Sequence, residues 1–216
     1  MNTLSDLAHK TNLDTLLPLI VQHHQLHSRW LNTLSLMENV GARKIAAAEH
    51  PRNVDLLMLK HAAEEARHAY YLKKQLSKIP EADCPDYSDV YLLAPRASYH
   101  YLHALDVAIS RYLKTTLACA DYQLRYMAYL LVTYAIEVRA DELYPAYQEA
   151  LSAAGSKVNV KSIIVEEEGH LAEMQTQMEA VLPNWQQHAK AVTDIEAGLY
   201  EKWVANIAQT VQATLN

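Results

Sequence analysis

The chain has 216 residues, room for one large domain or two small ones, and its composition, half apolar and one-fifth charged, is that of a globular protein and not a disordered one. Its formal net charge of −6 argues against a surface built to bind nucleic acid. Only 4 glycines and 7 prolines interrupt it, too few for the many turns of a β-sandwich or a barrel, so the composition predicts long helices.

The cysteines and the N-terminal segment indicate the compartment. Cys84 and Cys119 are too few for a disulfide scaffold, and they lack the spacing of a zinc ribbon or an iron–sulfur site. The N-terminal residues MNTLSDLAHK lack the basic and apolar regions of a signal peptide. No apolar run is long enough to predict a membrane span. We therefore expect a cytoplasmic protein with reduced thiols.

Apolar residues at helical spacing, separated by Pro or Gly, predict a series of helices. In chain order the predicted elements are helix A (13–50), helix B (53–78, capped by Asn53), an irregular crossover (79–97), an additional helix (98–117), helix C (121–154), helix D (159–182) and a C-terminal helix (186–213). An alternative is that the additional helix and helix C form one continuous helix. No strand pattern or linker is found, so we predict an all-α fold with one helical domain over residues 1–216.

The motif Glu-x-x-His occurs twice, as Glu65–His68 and Glu167–His170. A single match carries little information, because about one is expected by chance from the numbers of Glu and His. Both motifs, however, lie inside predicted helices, where residues i and i+3 share a face. Each also follows another glutamate by about one helical hairpin, Glu38 in the first case and Glu137 in the second. One Glu from each of two helices and Glu-x-x-His from each of two others form the ligand set of a di-metal four-helix bundle.

The positions of these residues relative to the predicted turns can be compared. In an antiparallel hairpin, residues equidistant from the turn lie at the same level. The midpoint of Glu38 and Glu65 falls at residue 51.5, on the Pro51 turn, whereas that of Glu137 and Glu167 falls at 152, a few residues before the Gly155 turn. Glu142 is therefore an alternative ligand, since its midpoint with Glu167 is 154.5. The spacing does not decide which carboxylates are shared between two metal ions.

The segments Glu64-Glu65-Ala66-Arg67-His68 and, more weakly, Glu166-Glu167-Glu168-Gly169-His170 resemble the signature of the ferritin-like di-iron carboxylate proteins. The resemblance covers residues 20–180 and implies a ferritin-like four-helix bundle, to which helices 98–117 and 186–213 are additions. It implies that Glu64 binds the ring N–H of His170 and Glu166 that of His68. Tyr144 and Gly155 follow Glu137 as in a rubrerythrin helix, which favours Glu137 over Glu142.

The predicted ligands are Glu38, Glu65, His68, Glu137, Glu167 and His170. Such donors suit two iron ions, with manganese as an alternative, and four carboxylates balance two divalent cations. Zinc would also bind them. Tyr71 and Tyr134 lie one turn from a predicted ligand and are candidates for a hydrogen-bonding or redox role, although a packing role is the more common one for such residues.

The predicted metal site is compatible with two functions, and a third hypothesis assumes that no metal is bound. The first is an oxidoreductase that activates O2 or peroxide. Its candidate partners are a small-molecule substrate and an external reductase, and a homodimer is its candidate assembly. Its substrate cannot be read from the sequence, but the additional helix 98–117 is long enough to wall a pocket beside the metals. The alternatives are a ferritin-like protein that binds or stores iron and a metal-free helical binding module.

Overall fold

The computed structural model describes residues 13–216, so the interpretation of MNTLSDLAHK concerns residues outside the described part of the chain. Over residues 13–216 the protein is all-α and contains no strand, as the composition predicts. The helices are α1 (Leu13–Gln22), α2 (His24–Ala48), α3 (Leu56–Gln75), α4 (Pro95–Thr116), α5 (Asp121–Ala153), α6 (Lys161–Val181) and α7 (Trp185–Leu215). Short 3₁₀ helices cover Leu76–Lys78 and Asp89–Tyr91. No helix in this range combines the length and apolar character needed to cross a bilayer.

Three predicted boundaries are wrong, each for a local reason. Predicted helix A is two helices, because His23 adopts an extended backbone and its ring accepts a hydrogen bond from the backbone N–H of Leu26. Asp55, and not Asn53, caps α3, because its carboxylate accepts hydrogen bonds from the backbone N–H groups of Leu57 and Met58. The additional helix begins at Pro95, a residue suited to a first helical turn, and residues 117–120 separate it from α5.

Two hairpins of consecutive helices form the centre of the molecule. In the first, α2 packs along α3, and the Ser35 hydroxyl donates to the Ala69 carbonyl at 2.7 Å. In the second, α5 packs along α6, and the Tyr126 hydroxyl donates to the Gln177 side chain at 3.1 Å. Seven-residue connections join the helices of each pair, so both pairs run antiparallel.

The remaining helices cover this centre. α1 packs on α2 and α5, while α4 and α7 pack on each other and on α5. Buried apolar side chains form two clusters, one around Trp30, Tyr147 and Trp203 and the other around Leu130 and Met174. Between these clusters, each helix of the two hairpins carries at least one polar side chain that is buried or, for Glu38 on α2, half-buried. The fold therefore holds a polar layer between two apolar ones.

Candidate metal centre

The polar layer contains the six side chains whose spacing predicted a metal site. Glu38 comes from α2, Glu137 from α5, and the two Glu-x-x-His pairs from α3 and α6. Exposure is 7% or less for every member except Glu38, whose side chain is 12% exposed. We call this set the six-residue cluster: Glu38, Glu65, His68, Glu137, Glu167 and His170.

Oxygen and nitrogen atoms of the cluster fall into two groups of four. One group contains Glu38 and His68, the other contains Glu137 and His170, and both include Glu65 and Glu167. Within each group one ligand atom from every residue lies within 4.8 Å of the others. Each group therefore offers four donors to one cation, and the two carboxylates common to both groups stand where bridging ligands would be needed.

The two imidazoles direct their Nδ1 atoms into the cluster. His68 Nδ1 lies 3.0 Å from a Glu167 oxygen, and His170 Nδ1 lies 3.4 Å from Glu137 and 3.5 Å from Glu167. Both Nδ1 atoms are buried, and neither makes a hydrogen bond of acceptable geometry with any described residue. A buried polar atom without a partner costs about 1–3 kcal/mol. A cation bound through these lone pairs would remove that cost, so the residues fit a metal pair.

The opposite ring nitrogens are held by carboxylates from the facing helix. His68 Nε2 lies 2.9 Å from Glu166 on α6, and His170 Nε2 lies 2.9 Å from Glu64 on α3. A carboxylate only accepts, so each Nε2 carries a proton, and Nδ1 is the ring nitrogen that a metal would bind in place of a second proton. These are the two contacts that the sequence resemblance implied. Gly169 does not disturb them, because α6 is a continuous helix through that position.

The charges of the cluster cannot all persist without cations. Burial raises the pKa of Glu65 well above its usual value, and the Glu38 carboxylate adds to this. Burial and the Glu167 carboxylate do the same to the pKa of Glu137. Burial alone would lower the pKa of His68, but Glu167 and Glu38 raise it to about 10. Without metal, protons take the place of cations in this layer.

Three residues considered from the sequence lie outside the cluster. Glu142 is exposed and pairs with Arg139. The Tyr71 hydroxyl donates to the Asn159 side chain at 2.9 Å. Tyr134 is half-buried and packs against the second apolar cluster. Glu137, the predicted ligand, therefore belongs to one of the four-donor groups, and the alternative Glu142 belongs to neither.

Tyr144 and Gly41 are among the residues that contact the cluster without having been predicted to do so. The Tyr144 hydroxyl donates a hydrogen bond to Glu38. A Cβ added to Gly41 would lie 3.4 Å from a Glu65 oxygen, so this glycine gives the carboxylate its space. The signal for both was helical spacing, since Tyr144 follows Glu137 by seven residues and Gly41 follows Glu38 by three.

A cavity of about 110 Å³ lies beside the cluster and is bordered by three of its carboxylates. Its remaining surface is mostly apolar and comes from α2, α4, α5 and α7. As expected for the predicted additional helix, α4 lines this cavity, and α7 contributes one aromatic side chain to its wall. The side chains supplied by these two helices are Tyr101, Leu102, Leu105 and Trp203.

Comparisons of the chain with protein-family models, with curated proteins and with solved structures found no match.

Proposed function

We propose that this protein is a ferritin-like di-iron carboxylate oxidoreductase that activates O2 or peroxide. The observation that supports this best is the pair of four-donor groups with Glu65 and Glu167 in common and two buried Nδ1 atoms without hydrogen-bond partners. Carboxylate and imidazole donors in this arrangement suit two iron or manganese ions. An iron pair, when bound, supplies two electrons to its oxidant.

The side chains have distinct roles in this proposal. Glu65 and Glu167 would each be shared by the two ions, while Glu38 with His68 and Glu137 with His170 would complete one group each. Glu64 and Glu166 hold the N–H of each imidazole and so orient its donor atom. The Tyr144 hydroxyl orients the Glu38 carboxylate by donating to it.

The cavity favours an enzyme over an iron-storage protein. Iron storage needs a route for ions, which polar and acidic side chains provide, whereas this cavity has mostly apolar walls beside three candidate ligands. Such walls exclude water and accept a small apolar molecule next to the reacting centre. In this proposal an external reductase would return electrons to the metal pair.

The first test is metal content. We expect the protein to bind about two ferrous ions per chain without oxygen, and His68→Ala and His170→Ala each to lose most of one equivalent. The matched control is His100→Ala, because His100 is an exposed histidine of α4 away from the cluster. Full metal content in both ligand variants would refute the ligand assignment, and absence of metal from the unaltered protein would favour a metal-free binding module.

The second test separates the enzyme from a storage protein. Gel filtration after iron loading should give a small assembly, with about two iron ions retained per chain. Addition of O2 or peroxide should change the optical spectrum once, with a stoichiometry set by those ions. A large shell that takes up many iron ions per chain would contradict the oxidoreductase proposal and support storage.

A further inference from the structure

A row of aromatic rings leads from the six-residue cluster to the surface. His61 lies against the candidate ligand His170, with 4.9 Å between ring centroids. The Tyr129 hydroxyl lies 2.9 Å from His61 Nδ1. The ring of Tyr129 is 6.1 Å from that of Tyr126, which is 6.5 Å from that of Tyr122. We call Tyr129, Tyr126 and Tyr122 the tyrosine ladder.

The spacing of the three tyrosines on one helix produces this row, and their exposure to solvent increases from Tyr129 to Tyr122. The three tyrosines are spaced by four and three residues on α5, so they stand one above another on one face. Tyr129 is buried, Tyr126 is half-buried and Tyr122 is 37% exposed. Tyr122 packs against His50, near the start of the connection that follows α2. The ladder therefore starts behind a candidate ligand and ends in solvent.

The innermost tyrosine has a base positioned for its proton. His61 Nε2 lies 2.9 Å from a Glu173 oxygen, and because a carboxylate only accepts, that nitrogen carries the proton. His61 Nδ1 is then an acceptor, and the Tyr129 hydroxyl is the group that donates to it. A phenol hydrogen-bonded to a neutral imidazole can lose an electron and a proton together, which avoids a buried cationic radical.

We propose that the tyrosine ladder carries oxidising equivalents, one at a time, from the candidate metal centre to the protein surface. This inference rests on the proposed function, which supplies the oxidised centre, and it goes beyond that function by assigning a radical exit. Phenylalanine rings at the same positions would pack similarly but could not be oxidised. The chain contains 14 tyrosines and no phenylalanine.

Each step balances in electrons and protons. A first equivalent of hydrogen peroxide would take the two electrons of a ferrous pair, and a second equivalent would take two more. Tyr129 would supply one of these further electrons and pass its phenolic proton to His61 Nδ1, which would leave a neutral tyrosyl radical. Tyr126 then reduces that radical, the proton returns from His61 to the Tyr129 oxygen, and Tyr126 releases its own proton to water. Tyr122 reduces Tyr126 in the same way. A one-electron donor in solution, such as ascorbate with its hydrogen atom, restores Tyr122.

A second aromatic row offers a competing route. Tyr101 stacks on Trp203 and Trp203 on Trp30, with centroid separations of 5.5 and 5.7 Å, and Trp30 contacts Tyr147. Both Tyr101 and Trp203 line the cavity beside the cluster. We favour the ladder because His61 links it to a candidate ligand and serves as a base at its first tyrosine, and because it ends at an exposed ring.

The experiment maps where a radical is trapped. Iron-loaded protein is treated with hydrogen peroxide in the presence of a nitroso spin trap, and adducts are located by peptide mass spectrometry. Parallel samples are frozen for electron paramagnetic resonance. The variants are Tyr129→Phe and Tyr126→Phe, which break the ladder but keep Tyr122. The matched control is Tyr112→Phe, whose hydroxyl pairs with His188 at 2.6 Å and which lies outside both rows.

We expect an adduct on Tyr122 in the unaltered protein and in Tyr112→Phe, and its loss in both ladder variants to the level seen on the exposed Tyr70 and Tyr99. Iron content and the optical change caused by peroxide are measured in every sample. If peroxide oxidises the iron but the adduct is absent, persists in both ladder variants, or lies on Trp203 or Tyr147, the ladder is refuted alone. If peroxide causes no optical change in iron-loaded protein, the proposed function and the ladder both fail.

Discussion

At the residue scale, the two imidazoles of the candidate centre are fixed by reciprocal contacts between α3 and α6. Each histidine donates to the glutamate that precedes the ligand glutamate of the other motif. Glu166 has a second partner in Arg67, whereas Glu64 is approached by Lys60 only at 3.9 Å. Glu64 is thus the better position at which to test the orienting role, because its main contact is the one with His170.

Glu64→Gln should weaken metal binding without abolishing it. The amide oxygen can still accept from His170 Nε2, but it carries no charge, so the imidazole becomes a poorer donor. Loss of such an outer partner costs about 10–100-fold in metal affinity. Competition titration with a chelator measures this. Glu168→Gln is the matched control, since Glu168 is exposed on α6, and equal affinities for the two variants would contradict the role given to Glu64.

At the scale of the helices, a glycine on α2, which has no side chain, makes room for the candidate centre. Gly41 lies in the interior of α2, where glycine is about 1 kcal/mol less favourable than alanine. The only described side chain within 4 Å of an added Cβ belongs to Glu65. Glycine at this position therefore lowers the stability of α2 but leaves room for the Glu65 carboxylate, which a larger residue would contact.

Replacement of Gly41 should separate helix stability from metal binding. Gly41→Ala places a methyl group in van der Waals contact with Glu65, so we expect higher thermal stability, by up to about 1 kcal/mol, with metal retained. Gly41→Leu should displace the carboxylate and reduce metal content. Gly198→Ala on α7 is the control, because nothing lies within 4 Å of its Cβ. Normal metal content in Gly41→Leu would show that Glu65 does not need this space.

The sequence predicted the helices that carry the candidate ligands because their apolar periodicity and their Pro and Gly boundaries are local signals. Ser35 opposite Ala69 and Tyr126 opposite Gln177 place the hairpins in the register that brings Glu38 to Glu65 and Glu137 to Glu167. The break at His23 was not predicted, because a histidine cap has no strong propensity. The cavity was predicted only in outline, since Trp203 reaches it through packing between elements distant in sequence.

At the scale of the whole molecule, metal binding and folding should be linked. The six-residue cluster draws side chains from four helices, which are close only in the folded chain. Without cations, the folded protein holds protons on Glu65, Glu137 and His68 that the unfolded chain releases at lower pH, because the pKa of each is raised. Such stabilisation is complete below the unfolded pKa and is lost as pH rises through the folded one.

We therefore expect the metal-free protein to lose stability as pH rises from about 6.5 to about 10, the interval over which His68 is charged only in the folded state. For each extra proton that the folded state binds, the unfolding free energy falls by about 1.4 kcal/mol per unit rise in pH. Thermal melts with chelator measure this. With saturating Mn²⁺ the melting temperature should be higher and should fall less over the same interval. Identical curves with and without metal would contradict the linkage.

The position of Trp203 on the last helix has a consequence for the order in which the site is completed during synthesis. Chains emerge and fold from the N-terminal side first. All six candidate ligands have been synthesised by His170, more than thirty residues before the aromatic wall that Trp203 gives to the cavity. A nascent chain can thus gather its carboxylates and imidazoles while the cavity is still open on that side. Metal would enter before α7 docks, and α7 would then enclose a centre that is already loaded.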